Sequence, residues 1–186
     1  MHGDKLSPPG SIQGSSGKKG NSVIELRPIS SEAIPAALAK AERYRLLNQP
    51  RQAESICSDI LQAEPDHQAA LIMLLLALTD QFGSRRHSVD IRRAREVLSR
   101  LKGEYERAYY EGVVYERWGK SLIGGDAIVE AINQWLRSAM QCYERAEPLR
   151  PPDNDEAILH WNACARLINQ NQLPEPSRRE AFDIGD

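Results

Sequence analysis

The sequence predicts an all-α fold of about seven helices. Three observations carry this. Apolar residues recur at helical spacing in segment after segment between Ser31 and Asn171. Prolines and glycines punctuate those segments where helices end, and no convincing period-two run marks a strand. The third is the ten-residue run Ala69–Leu78, AALIMLLLAL, which contains no polar side chain. It is half of the roughly 20 residues that cross a bilayer. A helix that is apolar all round must be covered on more than one side, so this one belongs at the centre of the fold.

The elements follow in order. Residues 1–30 open with a stretch rich in Gly, Ser, Pro and Lys, too poor in apolar surface to offset chain entropy, and are expected to be disordered. Val23, Ile24 and Leu26 form a short apolar patch that either lies against the first helix or leads into it. Ser31 is placed to cap the first helix, with Pro35 in its first turn and Ala37, Ala41 and Tyr44 on one face. A second helix, from about Arg51 to Ala63, turns Ala53, Cys57, Ile60 and Leu61 inward and stops at Glu64-Pro65-Asp66. The central helix runs from about Gln68 to Gln81. After the polar loop GSRRHS, a helix from about Asp90 to Lys102 aligns Ile91, Ala94, Val97, Leu98 and Leu101, with Gly103 as a left-handed cap.

A helix from about Glu104 to Trp118 carries Ala108, Gly112 and Tyr115. Gly124-Gly125 breaks the chain, and Asp126 caps a long helix reaching Glu147, about 33 Å in length. Pro148, Pro151 and Pro152 forbid its continuation. Trp135 on it is expected to pack against Trp118 or the last helix, although the face of Ile128, Ile132 and Trp135 offers an apolar surface. The last helix, about Asn154 to Asn169, carries Ile158, Trp161, Ala165 and Ile168. Residues 171–186 are expected to form a flexible tail.

Within residues 34–67 a helix, a tight turn and a second helix occupy 34 residues. Ala41 and Tyr44 in the first helix are followed by Ala53, Cys57, Ile60 and Pro65. Gly112 and Tyr115 repeat the first half, and Ala139, Tyr143, Ala146 and Pro151 the second. Ala53 to Pro65 and Ala139 to Pro151 are both twelve residues. The middle unit is cruder, with Leu75 and Leu78, then Ala94, Leu98 and Leu101. This pattern resembles the tetratricopeptide repeat over about residues 32–152: a small residue lets paired helices approach, a Tyr fills the gap, and Pro separates units. Ala37 and Lys40, and again Ala108 and Glu111, stand where the family has Trp and Leu, and the turns of the second and third units are expanded. The resemblance implies an α-solenoid of helix-turn-helix repeats across residues 31–170, with the last helix as the terminal cap.

The resemblance also implies a non-enzymatic scaffold or adaptor that binds a segment of another protein in a concave groove. By position that groove is lined by Leu38, Glu42 and Arg45, by Ile72, Leu76 and Thr79, and by Tyr109, Val113 and Glu116. The Lys and Asn clamp with which some members of the family hold a C-terminal carboxylate is missing, so an apolar or amphipathic segment fits better. The alternative is that Ile72, Leu76, Tyr109 and Val113 are core, covered by the expanded turns or by residues 23–30.

The 186 residues are 41% hydrophobic and 27% charged, with a formal net charge of −2, which gives no global reason to seek nucleic acid or an acidic membrane. Between Arg85 and Lys102, however, seven basic residues stand against two acids. Arg85, Arg86, Arg92, Arg93, Arg95 and Arg100 form either a solvated face or a contact for an acidic protein or RNA, making a ribonucleoprotein-associated module the first alternative function. A self-associating subunit is the second. Cys57, Cys142 and Cys164 read as buried thiols in a reducing compartment. With no apolar leader, the chain is expected to be cytoplasmic, off the membrane.

No catalytic constellation emerges and no cofactor is implied. His160 and Cys164, at i and i+4, are the nearest approach to a metal pair, with no second pair near them. Glu54, Asp59, Glu64 and Asp66 read as solvated charges.

Overall fold

The computed structural model describes residues 24–83, 90–124 and 129–170, and these form seven α-helices with no strand among them. They are α1 (Ile34–Leu46), α2 (Pro50–Ala63), α3 (Gln68–Thr79), α4 (Ile91–Leu98), α5 (Glu104–Ser121), α6 (Val129–Ala146) and α7 (Glu156–Gln170). Each helix packs against the next in sequence. The odd-numbered helices also touch in succession, α1 with α3, α3 with α5 and α5 with α7. This is the arrangement of a helical repeat, an all-α stack in which contacts run between neighbours. Expectations for Val23, Arg85, Arg86, Asp126, Ile128 and most of both terminal segments lie outside the described residues.

Local chemistry explains the boundaries. A 3₁₀ turn at Ser31–Ala33 precedes α1, so Ser31 sits inside that turn and makes no cap; its predecessor's carbonyl accepts from Ala33 N–H. At the other end of α1, Asn48 adopts a left-handed φ of 56°. Asn48 N–H then donates to Arg45 O and Gln49 N–H to Tyr44 O, satisfying two end carbonyls before Pro50 opens α2. His67 caps α3, its Nδ1 accepting from Ala70 N–H at 3.2 Å. Helix α4 stops at Leu98, earlier than the apolar stripe suggested, and Leu101 is buried beyond its end. Gly103 has an extended backbone (φ −74°, ψ 138°) and starts α5 rather than closing α4 in a left-handed cap. Leu122 caps α5, and Gly124, two residues further on, has a left-handed φ of 81°. Ile24 and Leu26 are exposed, while Ile29 alone packs beside Ile34 and Ile60.

The central helix is where its composition puts it. Leu71, Leu75 and Leu78 are fully buried, each stabilising the fold by about 1.5–3 kcal/mol, and only Ala69 of the run is exposed. Helix α5 is covered almost as completely, with Tyr109, Gly112 through Glu116 and Gly119 buried. The small residues expected at helix crossings, Ala41, Ala53, Ala94 and Ala139, have no exposed surface. Gly112 lies directly beneath the Tyr143 ring of α6. Trp135 packs 5.4 Å from the Tyr115 ring and against Gly119, whereas Trp118 meets Phe82.

Cys57, Cys142 and Cys164 are buried and unbridged. Burial pushes each thiol up to about 12, so the thiolate that reacts with alkylating agents is scarce at neutral pH. Iodoacetamide at pH 8 is expected to modify none of the three in the folded protein during a period that modifies all three in guanidinium. One fast-reacting thiol in the native protein contradicts this placement.

Candidate partner-binding face

The face shared by α1, α3 and α5 is held by one carboxylate. Asp80, the residue after α3, accepts from Arg45 Nε of α1 at 2.7 Å and from Arg117 of α5. Arg117 also donates to Thr79 Oγ1 at 2.9 Å. Two guanidiniums on one carboxylate tie three helices together and leave an excess positive charge. The same three helices carry the half-buried Leu38, Ile72, Met73, Leu76 and Tyr110, of which Leu76 meets Arg117 through its carbonyl. Met73 Sδ lies 4.0 Å from Arg45, so the apolar and charged parts are continuous.

Of the residues expected to line a groove, Leu38, Arg45, Ile72 and Leu76 are half-buried and Glu42 is exposed. Thr79 is buried and used by Arg117. Tyr109, Val113 and Glu116 are buried, at 9%, 2% and 3% exposure. Tyr109 and Glu116 are covered by α7: Tyr109 donates to Glu156 and its ring meets His160 edge-on, and Glu116 reaches His160 itself. Among the described residues, 24–30 make none of these contacts, and the expanded turns at 84–89 and 125–128 lie outside the described residues.

Glu116 is a buried carboxylate with three donors. Tyr143 OH donates at 2.6 Å, His160 Nδ1 at 2.7 Å, and Lys120 forms an ion pair from one turn later. Burial favours the protonated acid, but the bonds from His160, Lys120 and Tyr143 outweigh it and hold the carboxyl at about 2. The same contacts lock α5, α6 and α7 into one unit. His160 is thus committed to Glu116, with Glu156 3.9 Å from its other nitrogen. Among the described residues no group of three or more His, Cys, Asp or Glu is placed to hold a metal.

The basic residues of α4 and of the segment after it make contacts within the protein. Arg92 pairs with Asp90, Arg93 with Glu54 of α2 at 2.6 Å, and Arg95 donates to Tyr115 OH at 2.9 Å. Arg100 donates to Pro65 O at 2.5 Å and Lys102 pairs with Asp66. Glu54 is correspondingly not a free surface charge. Burial raises its carboxyl, yet bonds from Gln81 and Arg93 bring it below the usual range. It joins α2 to α4 and to the end of α3.

Asp80 and Arg117 were missed by the sequence reading, one residue past Thr79 and Glu116 respectively. The signal available was their opposite charge on successive odd-numbered helices.

No protein-family model, curated protein or solved structure matches the chain. Fold and site together define an all-α protein of helical-repeat type. No helix among the described residues is long and apolar enough to cross a membrane.

Proposed function

We propose that this chain is a tetratricopeptide-like, non-enzymatic adaptor that binds an amphipathic segment of another protein across the face of α1, α3 and α5. The observation that carries this is the Arg45–Asp80–Arg117 bridge across three successive odd-numbered helices, with Met73 and Leu76 in contact with its arginines and half-buried Leu38, Ile72 and Tyr110 on the same helices. An apolar strip flanked by charge suits a helix or extended segment with apolar anchors. The fully buried small residues Ala41, Ala53 and Ala139, and Gly112 against Tyr143, support the tetratricopeptide reading. Three unbridged thiols suit the cytoplasm.

The test is site-specific photo-crosslinking in the native lysate, with a benzophenone side chain at position 38, 72 or 76 of the full chain and at exposed position 159 as control. A protein adduct formed from the first three positions, insensitive to nuclease and absent from 159, supports the adaptor. Adducts formed instead from 92, 93 or 100 and lost with nuclease replace it with RNA association. Adducts only between copies of this chain replace it with self-association.

A further inference from the structure

A second concave surface lies elsewhere on the molecule, between α4, α5 and the end of α6. It is a cleft of about 720 Å³. Leu98, Ala108 and Leu149 supply apolar surface, and Arg95, Arg107 and Arg145 come from three different helices to line it. On α5 it uses the stripe Glu104, Ala108, Glu111 and Tyr115. The stripe of Tyr110, Val113 and Arg117 is about 200° of helix rotation away, so the two faces are separate.

The arginines are held in place without being consumed. Arg95 donates to Tyr115 OH at 2.9 Å and lies over that ring. Arg107 donates through a single nitrogen to the carbonyls of Leu101 and Lys102. Arg145 uses one nitrogen on Glu111 and on Cys142 Sγ. Each guanidinium keeps further N–H donors that have no protein partner among the described residues. Tyr115 OH in turn donates to Glu111 at 2.9 Å, so one tyrosine fixes both Arg95 and the acid that orients Arg145. Donors fixed in advance lose little side-chain entropy on binding.

We infer that this cleft binds a short acidic–apolar segment of another protein, in which a Leu or aromatic side chain enters between Leu98, Ala108 and Leu149 while flanking Asp or Glu carboxylates meet Arg95, Arg107 and Arg145. Charge complementarity selects carboxylates. The apolar floor selects a peptide over nucleic acid, because it offers a side-chain pocket, and the spaces beside Glu104 and Glu111 suit separated carboxylates better than an unbroken run of phosphates.

The test uses the full chain and a fluorescein-labelled octapeptide of alternating Glu and Leu. Its Gln/Leu counterpart and a uridine dodecanucleotide serve as comparison probes, with methyl chemical shifts recorded in parallel. The Glu/Leu peptide is expected to bind at least about tenfold more tightly than the Gln/Leu peptide, to shift the methyls of Leu98 and Leu149, and to lose about tenfold in the R107Q/R145Q variant. Arg145→Gln alone removes a partly exposed ion pair with Glu111 and a contact with Cys142 Sγ, so a loss there with an unchanged melting temperature keeps the test independent of folding. The inference is overturned if the Glu/Leu peptide fails to bind at about 1 mM, if it binds both variants as well as wild type, or if its shifts fall on Ile72 and Leu76. Tighter binding of the dodecanucleotide at the same methyls overturns it in favour of a nucleic-acid site.

Discussion

Replacing Gly112 by Ala is expected to destabilise the protein by about 2 kcal/mol, even though Ala gains roughly 1 kcal/mol of helix propensity over Gly. A Cβ at this position would stand 2.5 Å from Tyr143 Cε1 and 2.8 Å from Cδ1, far inside contact distance. The ring cannot swing away, because it is 1% exposed and its hydroxyl is held by Glu116 at 2.6 Å. Helices α5 and α6 must therefore separate, and in a chain of this size the melting temperature should fall by about 4–8 °C. Combining Gly112→Ala with Tyr143→Leu reads the coupling directly: the alanine should cost far less once the ring is gone. An equal cost in both backgrounds would place the close approach somewhere else.

Replacing Glu116 by Ala is expected to cost about 3–5 kcal/mol, because the variant leaves the Tyr143 hydroxyl buried without its acceptor and removes the counter-charge of Lys120. Amide exchange should quicken first in α7, which contacts the carboxylate through His160. The wild-type protein should show the same dependence through acid. A carboxyl that titrates at about 2 when folded, against an ordinary 4.5, is protonated more readily in the unfolded chain. Its stabilisation, on the order of 3 kcal/mol from those two values, is complete above about pH 5 and is lost as pH falls through 4.5 toward 2. Glu116→Gln should flatten that part of the stability–pH curve. An unchanged curve would mean that Glu116 is not the group responsible.

The existence and order of the helices were legible because each carries an apolar face between plain breakers. Ala69–Leu78 required covering on several sides, and α3 has it. Gly112 was legible as a point of close approach because a glycine inside a helical pattern costs stability unless something uses the space. Boundaries were less legible where a turn competes with the helix, as at Ser31–Ala33 and after Leu98, since apolar periodicity persists into Leu101 although the helix does not. The face of α1, α3 and α5 was half legible. Leu38, Arg45, Ile72 and Leu76 are half-buried, whereas Glu116 is turned between α6 and α7 and Arg117 takes the position beside the bridge. Helical spacing fixes which residues share a stripe; which neighbour covers that stripe depends on partners far away in sequence, here 44 residues from Glu116 to His160. The same holds for the arginines of α4, whose acceptors at Glu54, Pro65 and Tyr115 cannot be read from the basic run itself.

Arrays of stacked helix pairs are commonly lengthened, shortened or shuffled by whole units, because each seam between units is sealed by its own residues. Asp80 breaks that independence. One carboxylate serves both the seam of α1 with α3 and the seam of α3 with α5. Excising α3 and α4 as a module would bring Arg45 and Arg117 toward one another with no anion between them, and a foreign helix pair inserted in their place would have to supply an acid at the same point. The middle helix pair is therefore a keystone of the stack, whose removal loosens two seams at once.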